Sequence, residues 1–163
     1  MEFPSGQIRE EDGSYTLRFE RQLPFPLPRV WDALTQPAYL AKWIAEATVD
    51  LSVGGVFILD FVHDPSVMRG SITRLREYSL LEYTWNEGGN PPSTVCWELF
   101  PQGPDACLLV LTHSGLRRDV PSLGAGWHTH IDLMVQVLSG ERRDFSWEDE
   151  WWRSKVPLYG TGS

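Results

Sequence analysis

The residues with the most chemical potential in this chain are its histidines. His113, His128 and His130 lie close together in sequence, with Asp132 four residues beyond His128, and His63 stands beside Asp64. Imidazole and carboxylate groups brought together can hold a metal ion or relay protons. On a helix, His128 and Asp132 share a face, but His128 and His130 diverge by roughly 160°. One helix cannot aim both rings at one ion, and no spacing matches a zinc site. The expectation is a His128–Asp132 pair at a rim, a hydrogen-bonded His130, a His113 at the end of a strand, and no metal. The carboxylates Asp60 and Glu98 fall mid-strand. A carboxyl inside an apolar cavity would have a raised pKa and could act as acid or base. Alternation with Phe57, Leu59 and Phe61, and with Val95, Trp97 and Leu99, instead turns both outward. No catalytic residue is assigned.

Two cysteines, Cys96 and Cys107, flank a turn at 101–105. Pairing the flanking runs as a hairpin brings Phe100 near Cys107 and leaves Cys96 about 14 Å along the ladder, beyond the reach of a disulfide. They read as ordinary sheet residues.

The aromatics are the stronger lead, since eight tryptophans in 163 residues is a high count. The alternation directs Phe57, Leu59, Phe61, Tyr83, Trp85 and Trp97 toward one interior, with His113 beside them. A facing helix adds Trp127, His130, Ile131 and Met134. Such residues can line an apolar pocket. They can equally fill a core, and pocket volume depends on rotamers that a sequence does not show.

The elements that must position these side chains follow from pattern. Residues 1–13 form a disordered arm. A strand covers 14–23, with Tyr15, Leu17, Phe19 and either Gln22 or Leu23 inward, and prolines 24, 26 and 28 end it. Pro28 and Pro37 open two short helices, 29–34 and 38–44. Val49 and Leu51 lead into Gly54-Gly55, and strands follow at 56–63, 67–75, 80–85, 93–100 and 106–113, with short turn-rich separators that imply antiparallel order. Residues 123–138 carry Trp127, Ile131, Met134, Val135, Val137 and Leu138 on one helical stripe, and Gly140 stops the helix. Residues 141–163 form an aromatic-rich extension with a short helix near 147–155. Its tryptophans need cover, either from the rest of the chain or from a second copy in a homodimer. A single α+β domain at 14–140 results: a curved antiparallel sheet of six or seven strands around a long helix.

Length and charge exclude several functions. One domain of 163 residues buries an adequate core without disulfides or cofactors. A formal charge of −8 and no basic run longer than a pair argue against nucleic acid. No apolar run approaches the roughly 20 residues of a membrane helix. The charged first thirteen residues hold no signal-like stretch, so a cytoplasmic protein is expected. Arginine far outnumbers lysine, which stands only at Lys42 and Lys155, as in GC-rich bacterial coding sequences.

Several segments, in order, resemble one family. They are Val30-Trp31-Asp32-Ala33-Leu34-Thr35-Gln36-Pro37 with Leu40 and Trp43, Val53-Gly54-Gly55 with Phe57, Gly70-Ser71-Ile72, Leu81 with Trp85, Thr112-His113-Ser114-Gly115, and Gly126-Trp127 with Ile131, Asp132 and Leu138. The set resembles the helix-grip (START-like, SRPBCC) superfamily, in the branch similar to the C-terminal domain of the heat-shock-protein-90 ATPase activator. The resemblance implies a β-α-α-β(6)-α fold with a cavity between long helix and sheet. It implies no catalytic residues and no cofactor. No counterpart of the activator's additional chaperone-binding domain is present in the sequence, so chaperone stimulation is not implied.

Three functions remain open. The first is non-enzymatic binding of a small apolar or amphipathic molecule in the cavity. The second is a chaperone- or stress-associated interaction protein, and the third an enzyme of cyclase or hydrolase type using His113 or His130. An open apolar groove favours binding and a filled cavity favours the partner role. Two polar groups within hydrogen-bond reach inside the cavity favour the enzyme.

Overall fold

The computed structural model describes residues 6–61, 67–86, 92–117 and 120–140. Among them, strands β1 (Gln7–Glu11), β2 (Ser14–Leu23), β3 (Glu46–Val49), β4 (Val56–Asp60), β5 (Val67–Arg76), β6 (Leu80–Trp85), β7 (Ser93–Pro101) and β8 (Cys107–Leu116) form one sheet. Its order is β1-β2-β8-β7-β6-β5-β4-β3, antiparallel throughout. Helices α1 (Leu27–Thr35) and α2 (Pro37–Trp43) follow β2, and α3 (Val120–Leu138) follows β8. This is the expected helix-grip architecture, with eight strands rather than six or seven.

One extra strand corrects the expected arm. Gln7–Glu11 pairs with β2 from Gln7↔Arg18 to Glu11↔Ser14. The connection is the two-residue turn Asp12-Gly13, with φ of 50° and 82°. Positive φ at both positions is what a type I′ hairpin turn demands, and Asp-Gly supplies it. The strand is exposed along its length, so the turn and the ladder hold it rather than burial. The β character that begins near Ala47 is β3, paired with β4 from Glu46↔Asp60 to Val49↔Phe57.

Register shifts between Tyr15 and Leu17 in β2, and between Ile72 and Arg74 in β5, add twist and help the sheet curl. Gly70 is obligatory in β5, because a Cβ there would lie 2.2 Å from the Thr84 carbonyl oxygen. The next strand thus approaches closely enough to exclude any side chain.

The inner face of the sheet buries Leu17, Phe19, Phe57, Leu59, Tyr83, Val95, Trp97, Leu109 and Leu111. On β2, Leu23 rather than Gln22 takes the inner position, and Arg21 faces inward with it, 2% exposed. Arg21 donates from Nη1 to the Glu20 carbonyl at 2.9 Å and lies over the Phe19 ring. Alternation fixes its direction, and the long apolar stem makes burial tolerable.

α3 begins three residues before the expected start and lays Trp127, Ile131, Met134 and Leu138 on the sheet, while Val135 and Val137 are only half-buried. α1 and α2 close one side of the core. Gln36 is extended between them because the following Pro37 disfavours helical backbone there. The Trp43 indole donates to the Ala33 carbonyl at 2.8 Å, and the Arg29 guanidinium donates to the Leu138 carbonyl at the C-terminal end of α3. No helix among the described residues is long and apolar enough to cross a membrane.

Candidate functional site

The inward side chains of β4, β6 and β7 meet Trp127 of α3 as a connected set of rings. Phe57 stacks on Tyr83 with centroids 4.0 Å apart. The Trp97 indole donates to the Tyr83 hydroxyl at 3.1 Å, and burial pushes the Tyr83 phenol further above its ordinary range. Trp97 lies edge-on between Trp43 at 6.0 Å and Trp127 at 5.5 Å. Trp127 approaches Trp85 at 5.3 Å, and Trp85 continues to Phe61 at 6.3 Å. Tilted and edge-on contacts of this kind place ring edges against ring faces, the favoured quadrupole arrangement. Leu59, Ile131 and Met134 are fully buried in the same core. These rings therefore form one contiguous cluster on the inner side of the sheet. Phe61 follows β4, whose strand ends at Asp60 rather than at position 63.

His113 is the polar centre of this set. The expected strand end at 113 moves to Leu116, because Tyr15 of β2, opposite Leu116, and Thr94 of β7, opposite Ser114, extend the ladder beyond it. The ring is wholly buried, between Trp85 at 5.4 Å and Trp127 at 6.0 Å. Its Nδ1 receives the Trp127 indole N–H at 2.9 Å, and its Nε2 lies 2.7 Å from Ser93 Oγ. An indole nitrogen can only donate, so Nδ1 must carry a lone pair. The neutral ring therefore bears its proton on Nε2 and donates it to Ser93. Burial lowers the His113 pKa to about 3, and protonating Nδ1 would also set two N–H groups against each other.

Ser93 and His113 thus meet the distance criterion for a nucleophile and its base but not the direction of the bond. A base must accept the serine proton, whereas here the ring gives one. Trp127 enforces that polarity.

Trp85 and Ser93 are cross-strand partners in the β6–β7 ladder. Both are buried, and the Trp85 Nε1–H has no hydrogen-bond partner among the described residues. A buried N–H without an acceptor costs about 1–3 kcal/mol.

His130 does not join this group. It turns toward α2, where its Nδ1 lies 2.9 Å from the Trp43 carbonyl. A carbonyl only accepts, so Nδ1 carries the proton, and the ring satisfies an orphan carbonyl at the end of α2. Burial lowers its pKa to about 4, against the opposing effect of that bond. His130 is thus a hydrogen-bonded histidine tied to the end of α2, apart from the Ser93–His113–Trp127 chain.

His128 and Asp132 stand 3.7 Å apart as the i,i+4 pair. With side chains only 5% and 12% exposed, they are covered rather than on an open rim. No group of three or more metal-ligating side chains occurs among the described residues. His63 and Asp64 lie outside those residues, as does the extension at 141–163 with its expected helix.

Asp60 is exposed and Glu98 half-buried on the outer face, as alternation predicted. The cysteines are free, with Cys107 opposite Pro101 and Cys96 opposite Thr112. Burial, reinforced by Glu98 and Glu82, pushes the Cys96 thiol up to about 12.

Sequence reasoning missed Ser93 and Trp43. Ser93 opens a strand beside turn residues, where serine is commonplace. Its one available signal was its place two residues before Val95 on the inward alternation. Trp43 belongs to a short helix whose orientation follows only from packing.

Known proteins bear on this geometry. The family model described as activator of Hsp90 ATPase homolog 1-like protein matches residues 24–139. No curated protein matches the chain. Among solved structures, the protein encoded by BPP1335 of Bordetella parapertussis is 30% identical, with a TM-score of 0.73 over 98% of this chain and 91% of that one. CalU16 from Micromonospora echinospora is 24% identical, with a TM-score of 0.77 over 95% and 93%. PFC0360w of Plasmodium falciparum, described as an HSP90 activator, is 20% identical, with a TM-score of 0.66 over 77% and 96%. The match over more than half the chain, on a sheet wrapped around α3 as the family's fold requires, makes this protein a member of the activator of Hsp90 ATPase homolog 1-like family.

Proposed function

We propose that this protein binds a small, largely apolar molecule between α3 and the sheet without chemically transforming it. One observation carries the reading: the Trp85 N–H, buried against His113 and Trp127, has no acceptor among the described residues. A chain selected only for a filled core would place a group without a donor at this position. The aromatic walls supply dispersion and area, and a few polar atoms supply orientation, as in ligand sites generally. The direction of the Ser93–His113 bond speaks against a hydrolytic dyad.

Native mass spectrometry of the protein purified from its own cells tests this. A retained organic adduct of a few hundred daltons, lost on denaturation, is the expected result. A ligand-free protein whose tryptophan emission no apolar probe perturbs would overturn it.

The family's description favours a second reading, a chaperone-associated partner. An increase in Hsp90 ATPase turnover on adding the purified chain would support that role.

A further inference from the structure

The polar atoms at this end of the core have a definite valence. The Trp127 N–H is consumed by His113 Nδ1, and the His113 Nε2–H by the Ser93 oxygen. Ser93 therefore keeps its own hydroxyl proton, for which no described residue provides another acceptor. The adjacent Trp85 N–H is in the same state. Trp85 and Ser93 face each other across the β6–β7 ladder, where directly opposed Cβ atoms are about 5 Å apart. Two buried donors thus stand on directly opposed ladder positions, with no acceptor for either among the described residues.

We propose that Ser93 Oγ–H and Trp85 Nε1–H form a two-donor anchor for one uncharged acceptor oxygen, a ketone, quinone or ester carbonyl on a flat apolar ligand. This deepens the ligand-binding reading and rests on it. Two donors match the two lone pairs of a carbonyl oxygen. A carboxylate does not fit, because the described groups around the anchor (Phe61, Trp85, Ser93, His113 and Trp127) carry no positive charge. His113 resists becoming cationic, for its buried ring already accepts a proton donor on Nδ1. An anion here would lose its hydration without compensation. An acceptor-free hydrocarbon would leave both donors unsatisfied. Flatness follows from the walls, which are ring faces and edges. His113 acts as a positioning residue: by donating to Ser93 it turns the serine proton away from itself and toward the ligand.

Matched probes test this on the full chain. Tryptophan quenching is titrated with 9-fluorenone and with fluorene, which differ in the carbonyl oxygen, and with methyl 1-naphthoate against 1-naphthoate. Fluorenone should bind about tenfold more tightly than fluorene, and the ester more tightly than the carboxylate. Ser93→Ala and Trp85→Phe should each shrink the fluorenone preference, read as the ratio of the fluorenone and fluorene affinities within the same variant, to about two- or threefold. The infrared carbonyl stretch of bound fluorenone should fall in frequency and recover partly in Ser93→Ala, a change that altered packing alone would not produce. Urea unfolding identifies a variant that fails to fold, and Ser93→Ala, the smaller change, then carries the test. Equal binding of fluorenone and fluorene, or a preference that survives Ser93→Ala, would overturn the anchor while leaving the ligand-binding reading intact. Failure of all four probes to bind would remove both.

Discussion

The Trp127 indole N–H donates to His113 Nδ1 at 2.9 Å, joining the long helix to strand β8 in the interior of the sheet. Because tryptophan has no acceptor nitrogen to offer, this one bond decides which histidine nitrogen holds the proton. It also decides the sense of the Ser93–His113 bond on the other side of the ring. The helix thereby sets the polarity of a site whose other members come from strands.

The protonation pattern can be measured directly. Nitrogen NMR of the His113 ring at neutral pH should show Nε2 protonated and Nδ1 bare. In Trp127→Phe, which removes the donor, the ring should populate both tautomers and stability should fall by about 1–3 kcal/mol. A wild-type ring protonated on Nδ1 would contradict the assignment and restore Ser93 as a candidate nucleophile.

Two buried histidines make stability depend on acid. The pKa values of His113, about 3, and of His130, about 4, lie below the ordinary 6.5. Between those limits the unfolded chain binds protons that the native rings refuse, so stability rises with pH. Their contribution is full above about pH 7 and is lost as pH falls from 6.5 toward 4 and 3. Near pH 5 each ring should contribute a slope on the order of 1 kcal/mol per pH unit. Urea unfolding at pH 7, 5.5 and 4.5 should show this loss, and His113→Asn should remove about half of it. Stability that is flat or rises on acidification would disprove it.

Trp127 touches Trp85, Trp97 and His113 together, so its truncation removes shared packing. Trp127→Ala should cost about 3–5 kcal/mol, measured by denaturant midpoint with an unchanged m-value. A nearly neutral substitution would mean that the surrounding rings collapse into the space or that it already holds a ligand.

Metal is not expected to contribute. His128 and Asp132 pair with each other, His130 bonds to the Trp43 carbonyl and His113 is consumed by Trp127 and Ser93. Adding EDTA should leave the Tm unchanged. A fall of several degrees that one specific divalent ion reverses would reveal a site built partly from other residues.

The sequence by itself determined the helix-grip architecture, because its signals are local and periodic. Alternation in 80–85 and 93–100 fixed which faces of β6 and β7 look inward, and proline placed the breaks around α1 and α2. The same alternation turned Phe57, Tyr83, Trp85 and Trp97 toward one interior, the helical stripe added Trp127, and the helical projection separated His128 from His130. What it misjudged locally was Asp12-Gly13, whose positive φ values turn the supposed arm into β1. The site itself lay beyond local pattern. The partners of His113 come from positions 93 and 127, and His130 finds its acceptor at position 43. Which donor meets which acceptor depends on strand register and on how α2 and α3 pack over the sheet. Only the tertiary structure sets those distances, and with them the direction of each proton.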